Sequence, residues 1–207
     1  MSLEEARIII VVYLGAIAPL AVIAYYKKQL PEWVPIIYVG SILACAVGWE
    51  LWFTYGWIDG DPIEVRRAMV LNTWLPKHIN GLMNSFADAG TVCLGGLWLM
   101  WCCTGKDIGV FKTWNWCAFG ILLLWCIGQN VMVELFLYHD QLAEGKVMSW
   151  APLAPMGPYY NPTLFEFNDR EVRLQTQTPW IILPFILYQA VITITRKSSA
   201  KSAQSLG

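Results

Sequence analysis

NGLMNSFADAGTVCLGGLWLMWCC, residues 80–103, decides the architecture. About 20 apolar residues in a helix cross a hydrocarbon core ~30 Å thick. This stretch is that long, and Asp88 is its only charged residue. It reads as a transmembrane helix carrying an acid, with Asn80 and Asn84 on the same stripe. Working outward, apolar runs of similar kind occupy residues 6–26, 33–57, 113–138 and 179–195. The chain is therefore expected to be all-α, a polytopic bundle of about five spans forming one transmembrane domain over residues 1–207. Pro19 and Pro184 fall inside the first and last runs and predict kinks there.

Composition agrees with this reading. Of 207 residues, 57% are hydrophobic and 14% charged, against about a quarter charged in soluble domains. Too few charges exist to coat a soluble globule. The 12 Trp and 9 Tyr suit the bilayer–water interfaces, where amphipathic rings collect. A net charge of −1 gives no basic footprint for nucleic acid. The start, MSLEEAR, lacks the basic segment and small-residue cleavage site of a secretory signal, so the first run is expected to be retained. Lysine and arginine divide evenly between the two sides of such a bundle. Those nearest the span ends (Lys27, Lys28, Lys106, Lys112, Arg196, Lys197 and Lys201) share one side. The positive-inside tendency places that side, with the carboxyl terminus, in the cytoplasm.

Between the second and third spans, Asp61-Pro62 opens an expected interfacial helix, with Ile63, Val65, Met69, Val70 and Trp74 as its apolar face. Residues 139–177 are too rich in proline and polar groups for another span, and are longer than a connector requires. They are expected to form an ordered lid over one mouth. Cys45, Cys93, Cys102, Cys103, Cys117 and Cys126 lack the paired spacing of a zinc site. They read as small buried hydrophobes, the alternative being a disulfide near Cys102 and Cys103.

Glu50, Asp88 and Glu134 lie inside apolar runs, where an ionised side chain costs about 2.5–3.5 kcal/mol at the helix centre. Such groups need partners. Asn84 and Asp88 are spaced i,i+4, as are Asn130 and Glu134, so each amide shares a helix face with its acid. Gln129 borders the second pair. The functional reading is that these faces converge on a polar pocket, where an acid keeping its proton can donate it. The plainer alternative is adhesion between helices, about 0.6 kcal/mol per contact on average. His78 and His139 sit at span mouths and read as surface or capping residues. A metal held by His139, Asp140 and Glu134 is the alternative, opposed by adjacent helical residues pointing apart. No lysine lies inside a span, which excludes a retinal Schiff base. Gly95, Gly96 and Gly120 read as sites of close helix approach. Trp49, Trp52, Trp57, Trp98, Trp101, Trp114, Trp116 and Trp125 read as interface belts, with a second capacity to stabilise a buried cation. An internal echo links Gly48–Tyr55 to Val131–Tyr138, each with Glu ahead of Leu and aromatics.

At Gly48-Trp49-Glu50-Leu51 and Phe86-Ala87-Asp88 the chain resembles the small integral membrane terpene cyclases of meroterpenoid and indole-terpenoid pathways. The resemblance implies a helical bundle that protonates an epoxide or terminal alkene of a prenyl chain without metal or other cofactor, with Glu50 as acid and Asp88 as its partner. The family has more spans than are counted here and a further late acid, where this chain offers only Tyr188 and Gln189. The expected function is a cofactor-independent cyclase or isomerase acting on a prenyl or sterol-like substrate drawn from the bilayer. Asp88 or Glu134 would orient the acid or act as final base, and Asn84, Asn130, Gln129, Trp49, Trp52 and Tyr55 would line the substrate. The alternative is a transport or binding protein, or a small subunit of a membrane complex, using the same acids.

Overall fold

Ser2 and Glu5 start the first helix with a capping box: Glu5 N donates to Ser2 Oγ at 3.2 Å, and Ser2 N to Glu5 Oε2 at 2.6 Å. From there α1 runs Leu3–Tyr26. Helix α2, Trp33–Tyr55, stops at Gly56, whose φ of +66° is the left-handed conformation glycine adopts most readily. Two short helices follow, α3 (Ile63–Arg66) and α4 (Met69–Trp74). After them come α5 (Lys77–Cys103), α6 (Trp116–Gln141), an antiparallel hairpin β1 (Thr163–Phe167) and β2 (Arg170–Arg173), and α7 (Leu174–Gln204). This computed structural model describes residues 1–56, 61–144, 146 and 157–204, with 199–204 as backbone only. Helices α1, α2, α5, α6 and the Leu174–Ser198 portion of α7 make 5 segments long and apolar enough to cross a membrane. The chain is a multi-pass helical membrane protein.

The start of α1 and the end of the last span lie at opposite ends of the bundle. Arg7 pairs with Asp140 at the end of α6, whereas Arg196 Nε donates to Lys112 O at 2.8 Å, beyond α5. The first is here the hairpin end and the second the lysine end. Between them α2, α5, α6 and α7 share a core containing Trp33, Phe53, Leu97, Met100, Leu122 and Tyr188. Helix α1 stands outside that core. Only its Ile8 and Ala16 are buried, and Ile10, Leu14 and Ile17 face outward, where lipid would contact them.

The expected irregularity at Pro19 has become a joint between helices. Proline has no N–H, so the Gly15 carbonyl loses its helical partner. Thr91 Oγ1 of α5 donates to that carbonyl at 2.9 Å. Beside it, a Cβ on Gly90 would come within 2.3 Å of Pro19 Cβ, so only glycine permits this approach.

Three expectations are corrected. The last span starts at Leu174 rather than residue 179, because the polar Thr176 and Gln177 find acceptors and donors in α6 instead of acting as a connector. The interfacial helix is broken at Arg67-Ala68, whose extended backbone pairs with the chain after α6: Ala68 N donates to Gln141 O and Ala143 N to Arg66 O, each at 2.9 Å. Its face is divided accordingly. Ile63 is buried with Leu71 and Leu75, while Val65, Met69 and Trp74 point outward. Arg67, 2% exposed, fills the break, donating to Asn72 Oδ1 at 2.7 Å, Asn80 Oδ1 at 3.0 Å and the Leu75 carbonyl. Burial lowers its pKa to about 10, so it stays cationic at neutral pH. Third, the 139–177 segment contains the hairpin, with Asn168 and Asp169 at φ 50° and 59° forming the kind of two-residue turn that matches strand twist. Trp57 and much of the expected lid lie outside the described residues. All six cysteines are free. Cys45, Cys93 and Cys126 are buried as expected, Cys102 is half-buried, and Cys103 and Cys117 are exposed.

Candidate functional site

Each intramembrane acid lies where its helix widens into a π-turn. Glu50 ends the stretch Ala46–Glu50, Asp88 begins Asp88–Leu94, and Glu134 lies in Val133–Tyr138. Such stretches are rare and recur at functional sites, because the inserted residue breaks the regular i→i+4 ladder and re-aims the side chains around it.

Glu50 is 6% exposed. Its Oε2 accepts from Thr54 Oγ1 at 3.3 Å and from Asn84 Nδ2 at 3.4 Å. Asp88 Oδ2 accepts from Trp49 Nε1 at 2.7 Å, which fixes the indole between the two acids. Trp49, the chain neighbour of Glu50, thereby links the Glu50 stretch of α2 to Asp88 of α5. Among the described hydrogen bonds, Glu50 Oε1 and Asp88 Oδ1 receive no donor. The surroundings are aromatic. Trp49 packs on Trp180 with centroids 4.8 Å apart, and Phe53 stacks on Tyr138 at 5.1 Å and 23°. Arg66, itself buried, donates from Nη2 to Phe53 O at 2.5 Å.

Glu134 is engaged differently. Thr176 Oγ1 lies 2.8 Å from both its oxygens, Gln177 Nε2 donates to Oε2 at 2.7 Å and Arg173 N to Oε1 at 3.3 Å. These donors belong to the first turn of α7 and the residue before it. The carboxyl thus ties the start of α7 to α6 through two side chains and the backbone of the residue before the helix. Asn130 Nδ2 donates to Thr176 O at 2.9 Å and completes the anchor.

The structure therefore brings Glu50, Asp88, Asn84 and Trp49 together and sets Glu134 with Asn130 at the α7 start. Asn84, on the helix face of Asp88, donates across helices to Glu50. Asn80 serves Arg67 rather than the acid stripe. Gln129 Nε2 bonds Cys126 O of its own helix at 2.9 Å. Trp52 packs half-buried against the core. Tyr55 Oη shares a 2.8 Å hydrogen bond with His78 Nδ1 at the exposed hairpin end. Asp140 is paired with Arg7 and with Arg170 rather than joining His139 and Glu134. Among the described residues, no group of three or more His, Cys, Asp and Glu is arranged to hold a metal ion. Sequence reasoning missed Thr54, Tyr138, Trp180, Thr176 and Gln177. Thr54 was legible, being i+4 to Glu50. Tyr138 was legible too, being i+4 to Glu134 and the last residue of the internal echo, whereas Trp180, Thr176 and Gln177 come from a distant helix and carried no local signal. No protein-family model, curated protein or solved structure matches this chain.

Proposed function

We propose that this protein is a membrane-embedded, cofactor-independent cyclase or isomerase, in which Glu50 protonates a hydrophobic prenyl or sterol-like substrate drawn from the bilayer. The observation that carries this reading is the contrast between the acids. Glu50 and Asp88 each commit one oxygen to the protein and have a second that receives no donor among the described hydrogen bonds, whereas Glu134 has both oxygens occupied. The resemblance at Gly48–Leu51 and Phe86–Asp88 supports the same assignment.

In this mechanism Glu50 transfers its proton either to a double bond, whose π pair forms the new C–H bond and leaves a carbocation, or to an epoxide oxygen, whose C–O bond then breaks with its pair going to oxygen to leave a hydroxyl and a carbocation. The faces of Trp49, Trp180, Phe53 and Tyr138 stabilise that cation. Asp88, held by Trp49, takes a proton from a neighbouring carbon, and the released pair forms the product double bond. Return of that proton to Glu50 restores the starting state, so nothing is oxidised or reduced. Glu134 anchors α7 and with it Trp180. The carboxyl terminus is assigned to the cytoplasm on the positive-inside tendency.

A proton or ion route is the second reading, favoured by the hydrogen bonds that tie buried Glu50 to Asn84 and buried Glu134 to Thr176 and Gln177 across helices. The test is Glu50→Gln in membranes supplied with prenyl, prenyl-epoxide and sterol-like candidates. Turnover is expected to fall at least about 10²-fold, the lower range for a positioned acid, with unchanged thermal stability. Asp88→Asn is expected to show an equal or smaller loss. Full turnover by a folded Glu50→Gln protein refutes the acid role, and proton flux through liposomes that this variant abolishes establishes the second reading.

A further inference from the structure

A cavity of about 1160 Å³ opens at the lysine end, away from the acids: none of Glu50, Asp88 and Glu134 lines it. Its floor is the joint already described, where Pro19 rests on Gly90 and Thr91 holds the Gly15 carbonyl. On the hairpin side of that joint α1 packs closely along Lys77–Ala87 of α5, but beyond it α1 has little contact with Gly95–Cys103. The divergence leaves a chamber between α1 and the core, walled by Val22 on one side and by Leu94, Trp98, Trp101 and Trp125 on the other. Polar residues gather at the rim, at Gln29 and Glu32.

We infer that this chamber is a binding site for the single flexible apolar chain of an amphiphile from the leaflet at the lysine end. Length, lining and access agree. From Gly90 to Trp101 the wall runs about 16 Å at 1.5 Å per residue, about half of a ~30 Å hydrocarbon core. A chain hanging from a head group at the Gln29–Glu32 rim therefore reaches the floor after crossing one leaflet. The side walls are apolar over that depth, and the gap beside α1 faces the position of lipid tails rather than water. The volume exceeds the usual range for a small-molecule pocket, about 300–1000 Å³, and suits a chain that does not need a single fixed conformation. This site stands independently of the acid chemistry proposed above.

The test is photolabelling of the full chain in nanodiscs with a prenyl alcohol and a straight-chain alcohol of equal length, each carrying a diazirine near its apolar end. Saturable labelling is expected on the peptides containing Ala18–Ile23 and Leu94–Trp101, competed by excess unlabelled alcohol. The exposed Ile10 and Leu124 serve as lipid-facing controls that do not saturate. Gly95→Leu fills the chamber, since a Cβ there meets nothing nearer than Gly90 O at 3.7 Å, and should reduce cavity labelling about 10-fold while leaving the controls unchanged. Val22→Trp fills it from the α1 side if Gly95→Leu does not fold. Labelling by both alcohols identifies ordinary lipid chains as the occupant, and labelling by the prenyl probe alone identifies the proposed substrate's chain. Non-saturable labelling, or unchanged labelling of a folded filled variant, overturns the site. Glu50→Gln should label as the wild type does, so loss of turnover in that variant bears only on the acid.

Discussion

Glu134→Gln separates an anchoring acid from a reacting one. The carboxyl of Glu134 meets Thr176 Oγ1 at 2.8 Å, Gln177 Nε2 at 2.7 Å and Arg173 N at 3.3 Å. An amide has one acceptor oxygen and turns an NH₂ toward groups that are themselves donors. One buried donor is left without an acceptor, about 1–3 kcal/mol. Taken as about 2 kcal/mol, for a chain of 207 residues that is about 4–8 °C in Tm, at roughly 2–4 °C per kcal/mol. Glu50→Gln should behave in the opposite way. Its contacts, 3.3 and 3.4 Å through one oxygen, can be kept by an amide, so its Tm should stay within about 2 °C of the wild type. The assay is thermal unfolding of both variants in the same detergent, followed by near-UV circular dichroism. A Glu134→Gln protein as stable as the wild type, or a Glu50→Gln protein that loses as much, would refute the distinction drawn between the two acids.

Two further outcomes follow from the fold. Tags at residue 1 and residue 207 should report opposite sides of the membrane in protease-protection experiments, and a shared side would remove one of the assigned crossings. Gly90→Ala should destabilise by about 1–3 kcal/mol, as overpacking does, because its Cβ would approach Pro19 Cβ to 2.3 Å and push α1 off α5. Unchanged thermal unfolding of that variant would show that the α1–α5 joint is not close-packed.

Much of this was legible locally. Residues 80–103 could be assigned to a span because no fold buries so long an apolar run without either a large core or a membrane, and the composition excludes the large core. Asn168-Asp169 between alternating residues was a readable hairpin signal that the proline-rich setting obscured. The joint at Pro19 was half legible: a proline in a span announces a freed carbonyl, but not that Thr91, remote in sequence, supplies the donor.

By itself, then, the sequence determined that the chain carries helices able to cross a membrane, roughly where, and that Glu50, Asp88 and Glu134 fall inside those apolar runs. Hydrophobic run length and the desolvation of charge are local properties, so one-dimensional reading captures them. Which acid meets which partner was decided only by tertiary structure. An i,i+4 spacing puts Asn84 on the face of Asp88 and Asn130 on that of Glu134, yet Asn84 turns to Glu50 and Asn130 to Thr176 of α7. The π-turns at Ala46–Glu50, Asp88–Leu94 and Val133–Tyr138 alter the helical register at the acids themselves. Helix packing, rather than residue spacing, then sets the hydrogen bonds that leave Glu50 and Asp88 each with an oxygen to spare and Glu134 with none.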